Sequence, residues 1–212
     1  MERTQRRREF GSAVALCVAA GIWGLSFVAQ RAAMAHIGPY LFNGIRFLLG
    51  ALTLAPVLLI LRRYAPRAEA KRPASRGALV LGGAATGAVL FVAATLQQVG
   101  IVTTGAGKSG FITGLYVVLV PLLGIARGQR AHAIVWASAL LAAGGLYLLS
   151  GTEGGPVAWG DILLILGAFA WAIHVHLIGW MAERANPVAV AVVQSIACSV
   201  LSLAVSFAIE TT

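Results

Sequence analysis

Seven long apolar runs constrain this chain more than any other feature of its sequence. About 20 apolar residues are needed to cross the hydrocarbon core of a bilayer as a helix. The chain is 59% hydrophobic and only 11% charged, whereas soluble domains carry about 25% charged residues. We therefore predict an all-α integral membrane protein with seven transmembrane helices. The predicted spans are residues 12–34, 39–61, 77–99, 104–126, 132–150, 158–181 and 187–209.

The charged residues lie mainly between these runs and predict how the chain is oriented. If successive spans alternate in direction, 13 of the 16 basic residues fall on one side of the membrane, including those of the linker 62–76. Glu153, Asp161 and Glu210 fall on the other side. Positive residues concentrate in cytoplasmic loops, so we expect a cytoplasmic amino terminus in the cell (inner) membrane. Six further runs follow the first, which favours an uncleaved first helix.

Two stretches of the sequence match at an offset of 148 residues. This offset aligns Trp23 with Trp171, Pro39 with Pro187, and Arg46 with Gln194. It covers five predicted spans, an odd number, so the two copies would be inverted relative to each other in the membrane. Inverted repeats are a recurrent architecture of secondary transporters, whose binding site lies near the midplane between the copies.

The repeat predicts the domain organisation. Residues 1–150 would form a first unit of five helices, and residues 151–212 the first two helices of a second, inverted unit. We therefore expect the chain to be a truncated part of a ten-helix, five-plus-five protein. The alternative is a complete protein of seven helices.

Three stretches resemble the EamA-type members of the drug/metabolite transporter superfamily. They are "WGLSFV" at 23–28, "NGIRFLLGAL" at 43–52 after a proline, and "GFITGLYVVLVPLL" at 110–123. The resemblance extends over nearly the whole chain. It implies a ten-helix carrier with a central cavity lined by both halves, and a small metabolite or drug as substrate. It names no particular cargo.

Two basic residues inside the spans are the leading candidates for a site. Arg46 lies seven residues into the second span, about 10 Å deep at 1.5 Å per residue. Lys108 lies one turn into the fourth span, among glycines that thin the helix. Charges at such depths usually face a cavity or a partner. Arg31, nearer a span end, is expected to extend its guanidinium to the interface.

The charge of Lys108 leads to a hypothesis about the cargo. Asp161, at the outer edge of the sixth span, is the one acidic residue in the spans that is available to neutralise it. Unless helices beyond residue 212 supply another acid, the cavity is expected to be electropositive. Such a cavity would favour an anionic or zwitterionic substrate, such as an amino acid.

Further polar and aromatic residues in the spans could bind substrate, although the same side chains also bond or pack between helices. His174 could couple transport to a proton. It cannot pair with His176 on one metal, because side chains two residues apart point about 200° apart on a helix. The expected substrate-binding residues are Trp23, Asn43, Arg46, Gln97, Gln98, Lys108, Thr113, Tyr116, Trp171 and His174.

One motif suggests nucleotide binding and fails on inspection. The string "GAGKS" at 105–109 resembles the end of a phosphate-binding loop, but that loop requires a glycine where Val102 stands. Apolar spans flank the string on both sides, and no recognised enzyme motif or metal-ligand cluster occurs. We therefore expect neither catalysis nor a cofactor.

These observations predict a secondary transporter that moves a small metabolite or drug by alternating access. Its expected partners are the substrate, the bilayer and a coupling ion, either H+ or Na+, and no nucleic acid. The direction, uptake or efflux, is left open. The alternatives are an accessory or structural membrane subunit and an integral-membrane enzyme.

Overall fold

The computed structural model describes residues 2–64, 75–129, 132–150 and 158–210. The described residues form helices joined by short connections and contain no strand. Most of the linker 62–76 and Glu153 lie outside them. The helices are α1 (Glu2–Ala33), α2 (Pro39–Tyr64), α3 (Arg76–Thr103), α4 (Ala106–Gly114), α5 (Tyr116–Ala126), α6 (Ala133–Ser150), α7 (Trp159–Ala182) and α8 (Pro187–Ile209).

The helices agree with the seven predicted spans, because α4 and α5 together form the fourth. Six lengths of helix among the described residues are long and apolar enough to cross a membrane. The remaining one, α6, has a shorter apolar segment, Ala133–Gly145. α1 begins at Glu2 rather than at residue 12, since a helix can continue past its apolar part, Phe10–Ala33. The prediction of an all-α membrane protein with seven helices is confirmed.

The fourth span is interrupted between α4 and α5, and not at its proline. Pro121 lies within α5, and the break is at Leu115, between α4 and α5. A proline ring crowds the carbonyl group four residues earlier, here that of Val117, and removes one helical hydrogen bond. Both effects fall within α5, at least two residues beyond the break at Leu115.

Helices α3 and α7 pack closely and antiparallel, and glycines permit the close approach. A Cβ atom on Gly100 would lie 2.8 Å from the carbonyl oxygen of Gly160. Further along the pair, Gly167 faces Leu96, and Met181 faces Gly82. Small residues are common where membrane helices approach closely, so α3 and α7 form a tight central pair.

Helix α8 packs against α3 in the parallel direction. A Cβ on Gly87 would lie 2.6 Å from the carbonyl oxygen of Gln194, and one on Gly83 would lie 2.7 Å from Val193. These glycines therefore serve helix packing, as their four-residue spacing indicates. Gly110 of α4 is different, because a Cβ there would make only an ordinary 3.8 Å contact with Phe27.

Helices α2 and α8 run antiparallel and are tied together at two levels. The hydroxyl of Ser199 donates to the carbonyl oxygen of Gly44 over 2.8 Å. At the start of α2, the carboxylate of Glu210 accepts from the backbone N–H groups of Tyr40 and Leu41, at 2.9 and 2.8 Å. A carboxylate at a helix amino terminus satisfies unpaired N–H groups and opposes the positive end of the helix dipole.

The alternating helices give the bundle two ends of different charge. We call the end where α2, α4 and α7 begin the acidic end, since Asp161 and Glu210 lie there. The opposite, basic end carries residues at or near the helix ends that meet there. They are Arg63, Arg76, Arg127 and Arg184.

Candidate functional site

Hydrogen-bonded polar side chains form three clusters between the helices. We call them the Arg46 cluster (Gln30, Asn43 and Arg46), the His174 cluster (Gln97, Trp171, His174 and Gln194) and the Lys108 cluster (Thr104, Lys108 and Asp161). Polar groups inside membrane proteins are costly and usually face partners or cavities. Each cluster joins residues from more than one helix.

The Arg46 cluster joins α1 to α2. One terminal nitrogen of the Arg46 guanidinium donates to Oε1 of Gln30 over 2.7 Å, and the other donates to Oδ1 of Asn43 over 2.9 Å. The guanidinium carbon also lies 4.8 Å from the centre of the Phe47 ring and 5.4 Å from that of Phe42. Two side-chain amides and two aromatic rings therefore contact the Arg46 guanidinium, which connects α2 to Gln30 of α1.

The Arg46 cluster also leaves hydrogen-bond donors without acceptors. Asn43 is fully buried, and its Nδ2 has no hydrogen-bond partner. Nε of Arg46 is likewise buried and without one. Nearly all buried polar atoms in proteins are hydrogen-bonded, so two unpaired donors in one cluster require an explanation.

The Lys108 cluster lies at the acidic end of the bundle. Nζ of Lys108 lies 2.6 Å from a carboxylate oxygen of Asp161, whose side chain is only 4% exposed. Asp161 also accepts from the Thr104 hydroxyl at 3.1 Å and from the Ala158 backbone N–H at 2.9 Å. Asp161, the one acidic residue within the predicted spans, is therefore the ion-pair partner of Lys108. The pair connects α4 to α7.

The His174 cluster lies between α3, α7 and α8. The indole N–H of Trp171 donates to Oε1 of Gln97 over 2.9 Å. A ring nitrogen of His174 lies 3.2 Å from Oε1 of Gln194, and the rings of Trp171 and His174 meet edge to face at 5.6 Å. The hydrogen bonds of this cluster cross helix boundaries, so it links all three helices.

His176 points away from this cluster, as its spacing from His174 predicts. Its Nε2 lies 2.9 Å from the carbonyl oxygen of Val120 on α5. His176 also lines an open cleft of about 220 Å³ between α5, α6 and α7, together with Pro121 and Gln129. Within the ranges the structure describes, no three His, Cys, Asp or Glu side chains come together as metal ligands would.

Four of the predicted binding residues lie outside the three clusters: Trp23, Gln98, Thr113 and Tyr116. Trp23 is 38% exposed and meets Tyr116 edge to face at 6.0 Å between ring centres. Gln98 and Thr113 are buried, and neither amide atom of Gln98 nor the hydroxyl of Thr113 has a hydrogen-bond partner. The ten predicted residues are therefore spread over several levels of the bundle.

Four residues of these clusters were not among the predicted binding residues: Gln30, Thr104, Asp161 and Gln194. Gln30 and Gln194 are single amides inside apolar runs, a visible signal, since such a side chain needs a partner in the membrane. Asp161 was noted only for its charge. Arg31, expected to reach the interface, donates to the carbonyl oxygens of Ile101 and Val102 near the acidic end.

Apolar helices of spanning length that enclose polar clusters define a multi-pass helical membrane protein. The profile of the EamA-like transporter family matches residues 11–151. The chain belongs to this family of membrane transporters, and thus to the drug/metabolite transporter type.

Two relatives in the comparisons support the membership. The chain is 31% identical over 198 residues to an uncharacterized transporter of Archaeoglobus fulgidus, covering 93% of this chain and 58% of that relative. It is 35% identical over 138 residues to an uncharacterized protein of Pseudomonas aeruginosa, covering 64% of this chain and 44% of the relative. The chain thus spans about half the length of these curated relatives. No solved structure matches it.

Proposed function

We propose that the protein is a secondary transporter that moves a small metabolite across the cytoplasmic membrane by alternating access. The observation that carries this proposal is the set of unpaired polar atoms buried among spanning helices, above all both amide atoms of Gln98. A buried polar group without a partner costs free energy. It is retained where a ligand or water completes its hydrogen bonds.

The inverted repeat supports the mechanism. At the offset of 148 residues, Arg46 corresponds to Gln194, and each hydrogen-bonds to a side chain of the helix before its own, Gln30 and His174 respectively. Residues 1–150 and 151–212 would then belong to two units of opposite orientation. Rocking of such units about a central site is the usual course of alternating access.

In this proposal the Lys108–Asp161 pair is a contact of one access state. It joins α4 to α7 at the acidic end, which we expect to face outside the cell because positive residues concentrate in cytoplasmic loops. Opening this end would separate the Asp161 carboxylate from Lys108 and Thr104, the two side chains that donate hydrogen bonds to it. A coupling ion, H+ or Na+, would be one means of shifting this equilibrium.

Transport in vesicles tests the proposal. The protein expressed from its complete reading frame should accumulate at least one metabolite that stabilises it in a thermal-shift screen. Arg46→Ala and Lys108→Ala should abolish transport at unchanged expression, because they remove charges from the clusters. Phe207→Leu is the control, since Phe207 is 82% exposed on α8. No flux of any stabilising metabolite, or full flux in both variants, would refute the proposal.

The alternatives predict different results in the same assay. An accessory subunit would show no flux of its own but would be recovered with a partner protein. An integral-membrane enzyme would convert the metabolite rather than move it. Membership in a transporter family favours transport over both.

A further inference from the structure

In the Arg46 cluster each amide oxygen already accepts a hydrogen bond, whereas two buried donors remain unpaired. Oε1 of Gln30 and Oδ1 of Asn43 each accept from the guanidinium. Nε of Arg46 and Nδ2 of Asn43 are buried and unpaired. A ligand that fits this cluster must therefore bring acceptor atoms.

The charge of Arg46 is also uncompensated by the cluster. Amides and aromatic rings stabilise a guanidinium but carry no net charge. The ion pairs found among the described residues are Lys108–Asp161 and Arg184–Glu183, and neither includes Arg46. A cation at membrane depth is costly unless an anion accompanies it. Lys108 already forms an ion pair with Asp161, so Arg46 is the cation for which a bound anion would compensate the charge.

We propose that the Arg46 cluster binds one carboxylate group of the transported molecule, an inference that rests on the proposed function. A guanidinium can present two parallel N–H groups to the two oxygens of a carboxylate. The edge that carries Nε supplies such a pair, and Nδ2 of Asn43 adds a third donor. One positive charge matches one carboxylate. The uncompensated positive charge of the proposed site is thus that of Arg46 and not that of Lys108.

Matched pairs of small probes test this inference. The protein, expressed from its complete reading frame and placed in nanodiscs, is titrated with linear monocarboxylates from acetate to hexanoate, each beside its neutral amide. A charge-assisted bidentate pair predicts at least about tenfold tighter binding of the carboxylate than of the amide. Equal binding of acid and amide, or binding of neither across the series, would overturn the inference.

Two substitutions assign any preference to the cluster. Arg46→Gln should abolish the carboxylate preference, and Lys108→Gln, which alters the cation already paired, should retain it. If the Arg46→Gln variant does not fold, Asn43→Asp tests the same inference. It places a carboxylate beside the guanidinium, so it should raise the melting temperature of the free protein and abolish carboxylate binding. A retained preference in Asn43→Asp would contradict the assignment.

Failure of this inference can be separated from failure of the proposed function. Transport of neutral cargo without any carboxylate preference would leave the proposed function standing and remove the inference. Carboxylate binding that depends on Arg46, in a protein that transports none of its stabilising metabolites, would leave the binding site and remove the proposed function.

Discussion

At the residue scale, polar side chains of the clusters bond to residues of other helices. The sequence indicated Lys108 as a cation inside a span and Asp161 as the one acid in the spans that could neutralise it. The bond between them depends on α4 and α7 lying side by side, which no local pattern reveals. The hydrogen bond between Gln30 and Arg46 likewise joins side chains of two different helices, α1 and α2.

The Lys108–Asp161 pair makes a prediction at this scale. Lys108→Gln and Asp161→Asn should each lower the melting temperature, because each leaves one charge of a largely buried pair without its partner. The double variant should be more stable than the sum of the two losses predicts, with a coupling of about 0.5–3 kcal/mol. Additive losses, measured by thermal unfolding in nanodiscs, would show that the two side chains do not interact.

At the element scale, the seven spans could be predicted because a helix needs about 20 apolar residues to cross the hydrocarbon core. The break in the fourth span could not be placed at Leu115, since leucine is an ordinary helix former and Pro121 lies six residues further on, inside α5. The four-residue spacing of Gly83 and Gly87 is typical of a packing face on a membrane helix. Its partner, α8, became evident only in the assembled bundle.

The glycines of α3 and α2 provide a matched test of helix packing. Gly87→Ala should destabilise the protein by about 1–3 kcal/mol, because its Cβ would meet the backbone of α8. Gly50→Ala should be neutral or more stable by up to about 1 kcal/mol, because the space there is open and alanine favours helix. Equal melting temperatures for the two variants would contradict the packing of α3 on α8.

At the scale of the whole molecule, the alternation of charge predicts the orientation in the membrane. Single cysteines at Ala35 and Glu183 lie at the acidic and basic ends, in a background with Cys17 and Cys198 replaced by serine. An impermeant maleimide added to intact cells should label Ala35→Cys and should reach Glu183→Cys only after permeabilisation. The reverse pattern would invert the orientation and place the Lys108 cluster at the cytoplasmic face.

The most direct test of alternating access is the accessibility of Gln98. Gln98 is fully buried on α3, with both amide atoms unpaired. In the same cysteine-free background, Gln98→Cys should react with a small impermeant thiol reagent both in intact cells and in inside-out vesicles. A transported metabolite should slow both reactions. Labelling from neither side, or from one side regardless of the metabolite, would contradict transport by alternating access.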